Sequence, residues 1–340
     1  MSLKNCLRAI FCVAAITLCL PAYATAQEVP SDAPLPVFEF HSGFWLNLHH
    51  TLYRQARLAR NPAPGTPAAP IISGLSAADQ KTWDSAVAFY AASYANKDLL
   101  FSLEMVLIKN QLGDFETCED LAGFKKKTCD AGLPAKLTQT LDSVAPIYRA
   151  HLWQEHDRLN RRWIAAVAPL VRNSALELSH RLAEIYETPW PKERIRVDVT
   201  VFANAQGAYT TVDPLRVTLS STDARNQGAE ALEILFHEAS HGISDTVQNA
   251  IVRECRQRDK PVPRDLWHAL LFYTAGEVIR SVMKNSPNKI PDAYTPYAIR
   301  ENLYKRGWED YLRVLNEYWQ PYLDGKVGFD DAIAHMVSSL

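Results

Sequence analysis

The string His237-Glu238-Ala239-Ser240-His241 sets two imidazoles four residues apart with a carboxylate beside the first. On a helix at about 100° per residue, His241 falls about 40° around from His237, and Glu238 about 60° beyond His241, so all three share one face. Two imidazoles one turn apart can both bind a single Zn²⁺, and the glutamate between them is then placed to take a proton from a water that the metal acidifies. Zinc brings the pKa of such a water toward about 7, and the carboxylate completes its activation as general base. A catalytic zinc site also needs a third protein ligand. Glu277 shares a helical stripe with Leu266, Leu270 and Tyr273. A carboxylate on such a stripe is costly to bury unless a cation meets it, and zinc would do so; we take Glu277 as the third ligand. His268 competes for the role: nine residues from Glu277, it lies about 180° around, so one continuous helix presents only one of the two. The ordinary alternative for Glu277 is an i, i+3 ion pair with Arg280.

The elements around these residues follow from periodicity. From Gly228 the residues Leu232, Leu235, Phe236, Ala239, Ile243, Val247, Ala250 and Ile251 form one continuous helical stripe, with the histidines in its middle. Before it, Ile195, Val197, Val199 and Val201 alternate with Arg196, Asp198 and Thr200, as in a strand with one buried face. Tyr209 to Val212 and Leu215 to Leu219 read as two more strands separated by Asp213-Pro214. A further helix begins after Asp265, and Gly276 on it would let two helices approach closely. From Gln27 to about Pro191 the chain reads almost wholly helical: Phe44 to Ala59, a segment from the Ser76/Asp79 capping box to Gly113 broken near Asn96, and helices from Pro134 to Thr188 interrupted near Pro146 and Pro169. The proline-rich stretch from Asn61 to Pro70 is an irregular connection. The expected fold is therefore mainly α with a small β-sheet (α+β), divided into residues 1–26, a helical region 27–190 and a metal-binding catalytic region 191–340.

Residues 1–26 read as a secretory signal peptide: Lys4 and Arg8, an apolar run from Ala9 to Leu20, then Pro21 and the small-residue stretch Ala22 to Ala26, with cleavage expected after Ala26. The apolar run is too short to span a bilayer, which takes about 20 residues. A lipoprotein signal at Cys19 is the minor alternative, disfavoured because Leu18 stands where a small residue belongs. The expected location is periplasmic or secreted, in a bacterium, with no membrane span after cleavage. Of six cysteines three leave with the signal; Cys118 and Cys129, flanking a charged loop, are expected to pair in an oxidising compartment, and Cys255 to be a buried thiol. With 36 Lys and Arg against 38 Asp and Glu, the 340-residue chain has a net charge of −2, which gives no electrostatic reason to hold nucleic acid. Trp45, His49 and Tyr53 lie one above another on the first helix, and helix packing with hydrogen-bonded imidazoles is preferred there over a cleft wall.

The pattern of His237, Glu238 and His241 on one helix with Glu277 on a following helix resembles the gluzincin metallopeptidases, the thermolysin-like group, over about Arg194 to Met283. The stretches Leu219 to His241 and Trp267 to Glu277 also resemble uncharacterised exported zincin-like proteins of bacteria. Ser244 and Val247 stand where a metzincin would carry glycine and a third histidine. The gluzincin likeness implies His237, His241 and Glu277 as zinc ligands, Glu238 as base, and hydrolysis of a peptide or protein substrate. Two departures accompany it: Ser281 occupies the position four after Glu277 where many gluzincins carry aspartate, and the gap from His241 to Glu277 is longer than in thermolysin-like enzymes. Asp245 could supply the missing supporting carboxylate. For the oxyanion we take Tyr297 first, with Tyr294 and Tyr273 behind it. The likeness further implies that a strand before the helix, Tyr209–Val212 or Leu215–Leu219, pairs with an extended substrate. Two other readings share these residues: a periplasmic binding or assembly factor on a zincin-like scaffold, and a zinc amidase or esterase acting on a non-peptide substrate.

Overall fold

The computed structural model describes residues 35–60, 72–119, 121, 132–285 and 294–340. The segment read as a signal peptide, the proline-rich connection and Cys129 lie outside the described residues. Residues 35–340 form one compact unit.

A short strand, β1 (Phe38–His41), leads into α1 (Phe44–Arg60). Then follow α2 (Ala77–Ser93), α3 (Leu103–Asp114) and α4 (Ala135–Tyr148). A π-helical turn, Arg149–Trp153, joins α4 to the long α5 (Gln154–Ile185). Next come β2 (Ile195–Thr200), β3 (Ala208–Val212) and β4 (Leu215–Ser220), then α6 (Gly228–Ser240), a 3₁₀ turn His241–Ile243, α7 (Asp245–Gln257) and α8 (Leu266–Asn285). The chain ends in α9 (Tyr297–Arg300), a 3₁₀ turn Tyr304–Arg306, α10 (Glu309–Val314), a second π turn Leu315–Trp319, α11 (Gln320–Leu323) and α12 (Phe329–Ser339). The molecule is mainly helical with one small sheet, as its periodicities require.

The sheet order is β1-β2-β4-β3, with β1 and β4 parallel to β2 and β3 antiparallel on the edge. The side-chain period of two splits it into unlike faces. Phe38, Ile195, Val197, Val199, Val217 and Leu219 pack on one side, in a core shared with α5, α6 and α8. Asp198, Thr218, Tyr209 and Thr211 point to the other side, where α1 and α3 bury them together with His50 and Lys109. The second core, of α1 to α4, holds Trp45, Leu48, Leu52, Trp83, Tyr90 and Tyr148. The Trp45, His49 and Tyr53 stripe belongs to this packing: His49 bonds the Tyr90 hydroxyl at 2.9 Å, and Tyr53 donates to the Lys97 carbonyl at 2.8 Å.

Three local expectations are corrected. Residues 38–41 form a strand inside the stretch read as helical; four residues carry too little periodicity to register, and parallel pairing with Ile195–Asp198 makes the strand. Pro146 and Pro169 lie inside α4 and α5 without ending them. For α5 the reason is the stripe Trp163, Val167, Val171, Ala175, Leu178, Leu182 and Ile185, all buried. Burying each large member contributes about 1.5–3 kcal/mol, against about 3 kcal/mol for the proline. The helix expected to run unbroken from Gly228 past Ile251 breaks at the 3₁₀ turn after Ser240. There Gly242 lies against β4, where a Cβ would stand 2.6 Å from Leu215 Cδ2. β1 belongs to the same sheet as β2, and α5 shares its core with α6 and α8.

Candidate metal centre

The helices α6 and α8 present facing rows at i+4 spacing. On α6 and the turn after it the row is Glu233, His237 and His241; on α8 it is Gly276, Phe272 and His268, running the opposite way. The rungs are close. A Cβ on Gly276 would stand 3.0 Å from Glu233 Oε1. Phe272 stacks on His237 with ring centroids 3.6 Å apart and planes 16° from parallel. The His241 and His268 rings lie 5.2 Å apart. One imidazole nitrogen from each of His237, His241 and His268 falls within 4.8 Å of the others, the one such group of three or more metal-ligating side chains among the described residues.

The structure thus brings together both histidines of the motif and His268. Glu277, a helical half-turn away, faces elsewhere. Its carboxylate pairs with the Arg280 guanidinium and lines a separate cleft with Arg181 and Asp324. Burial still pushes its pKa up, with Arg280 opposing. The cation that meets this half-buried carboxylate is the i+3 arginine.

Aromatic rings enclose the three imidazoles: Trp267 lies against His241 and His268, and Trp308 against His268. Desolvation dominates their titration. It holds His241 at about 3 and His268 at about 4, and His237, pressed further by the other two rings, well below its ordinary value. Only the Leu271 backbone acts on His237 in the other direction, and its Nδ1 is buried with no hydrogen bond of normal geometry. Three neutral imidazoles converge, therefore, with their lone pairs free to donate at neutral pH. A three-imidazole donor set fits a zinc ion, which keeps three protein ligands and one open position in catalytic sites.

Glu238 completes the arrangement. Its Oε2 lies 4.0 Å from His241 Nε2 and accepts a 2.7 Å hydrogen bond from the Thr210 hydroxyl of β3. Burial raises its pKa to about 7, the Thr210 bond opposing. A pocket of about 590 Å³ opens beside His241, walled by Val212, Pro214, Leu215 and Trp267, with Asp245 and Gln248 at its polar side. Asp245 is exposed at the start of α7 and has no recorded bond to an imidazole among the described residues.

The tyrosines are spread. Tyr297 is buried, its ring centroid 6.0 Å from that of Phe272; burial raises its pKa, with Arg225 the largest opposing influence. Tyr294 donates to Glu233, and the Tyr273 hydroxyl lies within hydrogen-bond reach of both Asn316 and Gln320. Sequence reading did not single out Thr210, Phe272, Trp308 or Glu233. Phe272 was legible from its i+4 position between His268 and Gly276; Thr210 and Trp308 carried no such signal. Against protein-family models, curated proteins and solved structures, the chain finds no match.

Proposed function

We propose that the protein is an exported zinc-dependent hydrolase, with His237, His241 and His268 holding the metal and Glu238 as general base. The observation that supports this best is the convergence of three neutral imidazoles beside a buried carboxylate, with one of them, His241, lining a pocket. Bound zinc would supply Lewis-acid polarisation of the scissile carbonyl and acidify water. Glu238, near pH 7 in its affinity for protons and steadied by Thr210, takes a proton from the attacking water and returns it to the leaving group. Trp267, Phe272 and Trp308 keep bulk water from the imidazoles.

A peptide substrate suits the surroundings. Of the two strands considered for substrate pairing, β4 is interior to the sheet and β3 is its edge. β3 ends at Val212, which is 63 % exposed at the pocket. An extended peptide laid along β3 would bring its side chain to the apolar walls of Val212, Leu215 and Trp267. In this reading the gluzincin likeness rests on His237, Glu238 and His241 alone, and the proposed third donor is an imidazole instead of a carboxylate. Export is supported by Cys118, which is disulfide-bonded, as an oxidising compartment allows. Among the described residues no helix is long and apolar enough to cross a membrane.

Glu238→Gln tests the reading. The variant should retain zinc at one ion per chain and lose hydrolysis of a peptide library that the wild type cleaves. Unchanged cleavage by the variant would refute the role of Glu238, and a wild-type chain that holds zinc but cleaves nothing would favour a binding or assembly factor.

A further inference from the structure

We propose that Glu233 is a positioning residue for the histidine cluster, docking residues 294–297 onto α6 and α8 and so holding Phe272 face-on to His237. The inference rests on the metal-site reading above. Glu233 lies one turn before His237 on the same face of α6 and is 1 % exposed. Its two carboxylate oxygens accept the Tyr297 backbone N–H at 3.0 and 3.1 Å, and one also accepts the Tyr294 hydroxyl. No cation of the described residues forms an ion pair with it; the nearby Arg300 is taken by Glu230 and Glu301.

A buried carboxylate with no paired cation costs several kcal/mol, and simple packing here would be served by an apolar side chain. The donors that offset this cost come from residues 294–297. That segment continues directly into the Tyr297 ring, which lies 16° from parallel with Phe272, whose ring lies 16° from parallel with His237. Pro296 of the same segment sits on Gly276, where a Cβ would come within 2.5 Å of it. Glu233 therefore fixes one end of the α6/α8 row, and the orientation of the His237 ring is set two contacts away. Partners that orient a ligating histidine change metal affinity by about 10–100-fold when removed.

The test uses the purified mature chain, with Zn²⁺ titrated against a chromophoric chelator and the visible spectrum of the Co²⁺ form recorded. Glu233→Ala should weaken Zn²⁺ by about 10–100-fold and alter the cobalt spectrum. Glu233→Gln keeps an acceptor for the Tyr297 N–H and should recover most of that loss. Phe272→Leu, which keeps an apolar side chain but no flat ring, should weaken Zn²⁺ comparably and carries the test if Glu233→Ala does not fold. Wild-type affinity and spectrum in either folded variant would overturn the positioning role alone. A wild-type chain that takes up no metal would overturn the metal-site reading, and this inference with it.

Discussion

Gly276→Ala probes the α6/α8 contact with a single methyl group. The added carbon would stand 2.5 Å from Pro296 Cβ, 3.2 Å from Pro296 Cγ and 3.0 Å from Glu233 Oε1. Carbon atoms rest at about 3.5–4.0 Å, so the proline must withdraw by about 1 Å. It is a rigid ring, buried and tied through Tyr297 to Glu233, and cannot turn aside. Overpacking of this kind costs about 1–3 kcal/mol, while replacing glycine by alanine in a helix interior returns about 1 kcal/mol. The net expectation is a loss of about 1 kcal/mol in the metal-free chain, read as a lower urea midpoint at unchanged slope. With zinc present the deficit should grow, because withdrawal of Pro296 carries Tyr297 away from Phe272; a tenfold loss in affinity adds about 1.4 kcal/mol at saturating metal. Gly242→Ala provides the contrast. Its methyl would meet the Leu215 side chain, at 2.6 and 2.9 Å from the Cδ atoms and 3.3 Å from Cγ, and that half-buried side chain can rotate toward the pocket. Its cost in the metal-free chain should stay under about 1 kcal/mol. A Gly276→Ala chain as stable as wild type, with the same stabilisation by zinc, would refute the reasoning.

Exchanging the competing donors separates them: His268→Ala should lose tight zinc binding by chelator competition, and Glu277→Ala should keep it, with a melting temperature little changed because an i, i+3 pair at a half-buried site contributes about 0.2–0.5 kcal/mol. Acid stability should report the buried histidines of the second core. Burial holds His49 at about 3, below its unfolded value of about 6.5, so the unfolded chain takes up a proton that the folded chain refuses, and stability is lost as pH falls from 6.5 toward 3. In His49→Gln the difference in urea stability between pH 7 and pH 5 should shrink by up to about 2 kcal/mol, and an unchanged difference would contradict the assignment.

The fold was largely legible because its elements have strong local periods. The alternation from Ile195 to Thr200, the Ser76 cap and the stripe of α6 each declare themselves within a dozen residues. The break after Ser240 did not, since the apolar stripe continues through it into Val247 and Ile251; what bends the chain is the approach of Gly242 to Leu215, a contact between segments far apart in sequence. The third donor shows the same limit. Chemistry of the single helix favoured Glu277, whose burial needed a cation, and Arg280 meets that need locally. Which face of α8 meets α6 is a tertiary fact, and it places His268, not Glu277, beside His237 and His241. A sequence signal existed, the match of Glu233, His237 and His241 with His268, Phe272 and Gly276 at equal spacing, but it requires reading two helices against each other.

X-ray absorption at the zinc edge of the loaded, purified chain counts the ligands of the metal. One zinc per chain is expected, with three imidazole nitrogens and one oxygen in its inner shell, the imidazole count falling to two in His268→Ala. A chain that binds no zinc, or a wild-type shell of two imidazoles and a carboxylate that is lost in Glu277→Ala, would contradict the three-imidazole site.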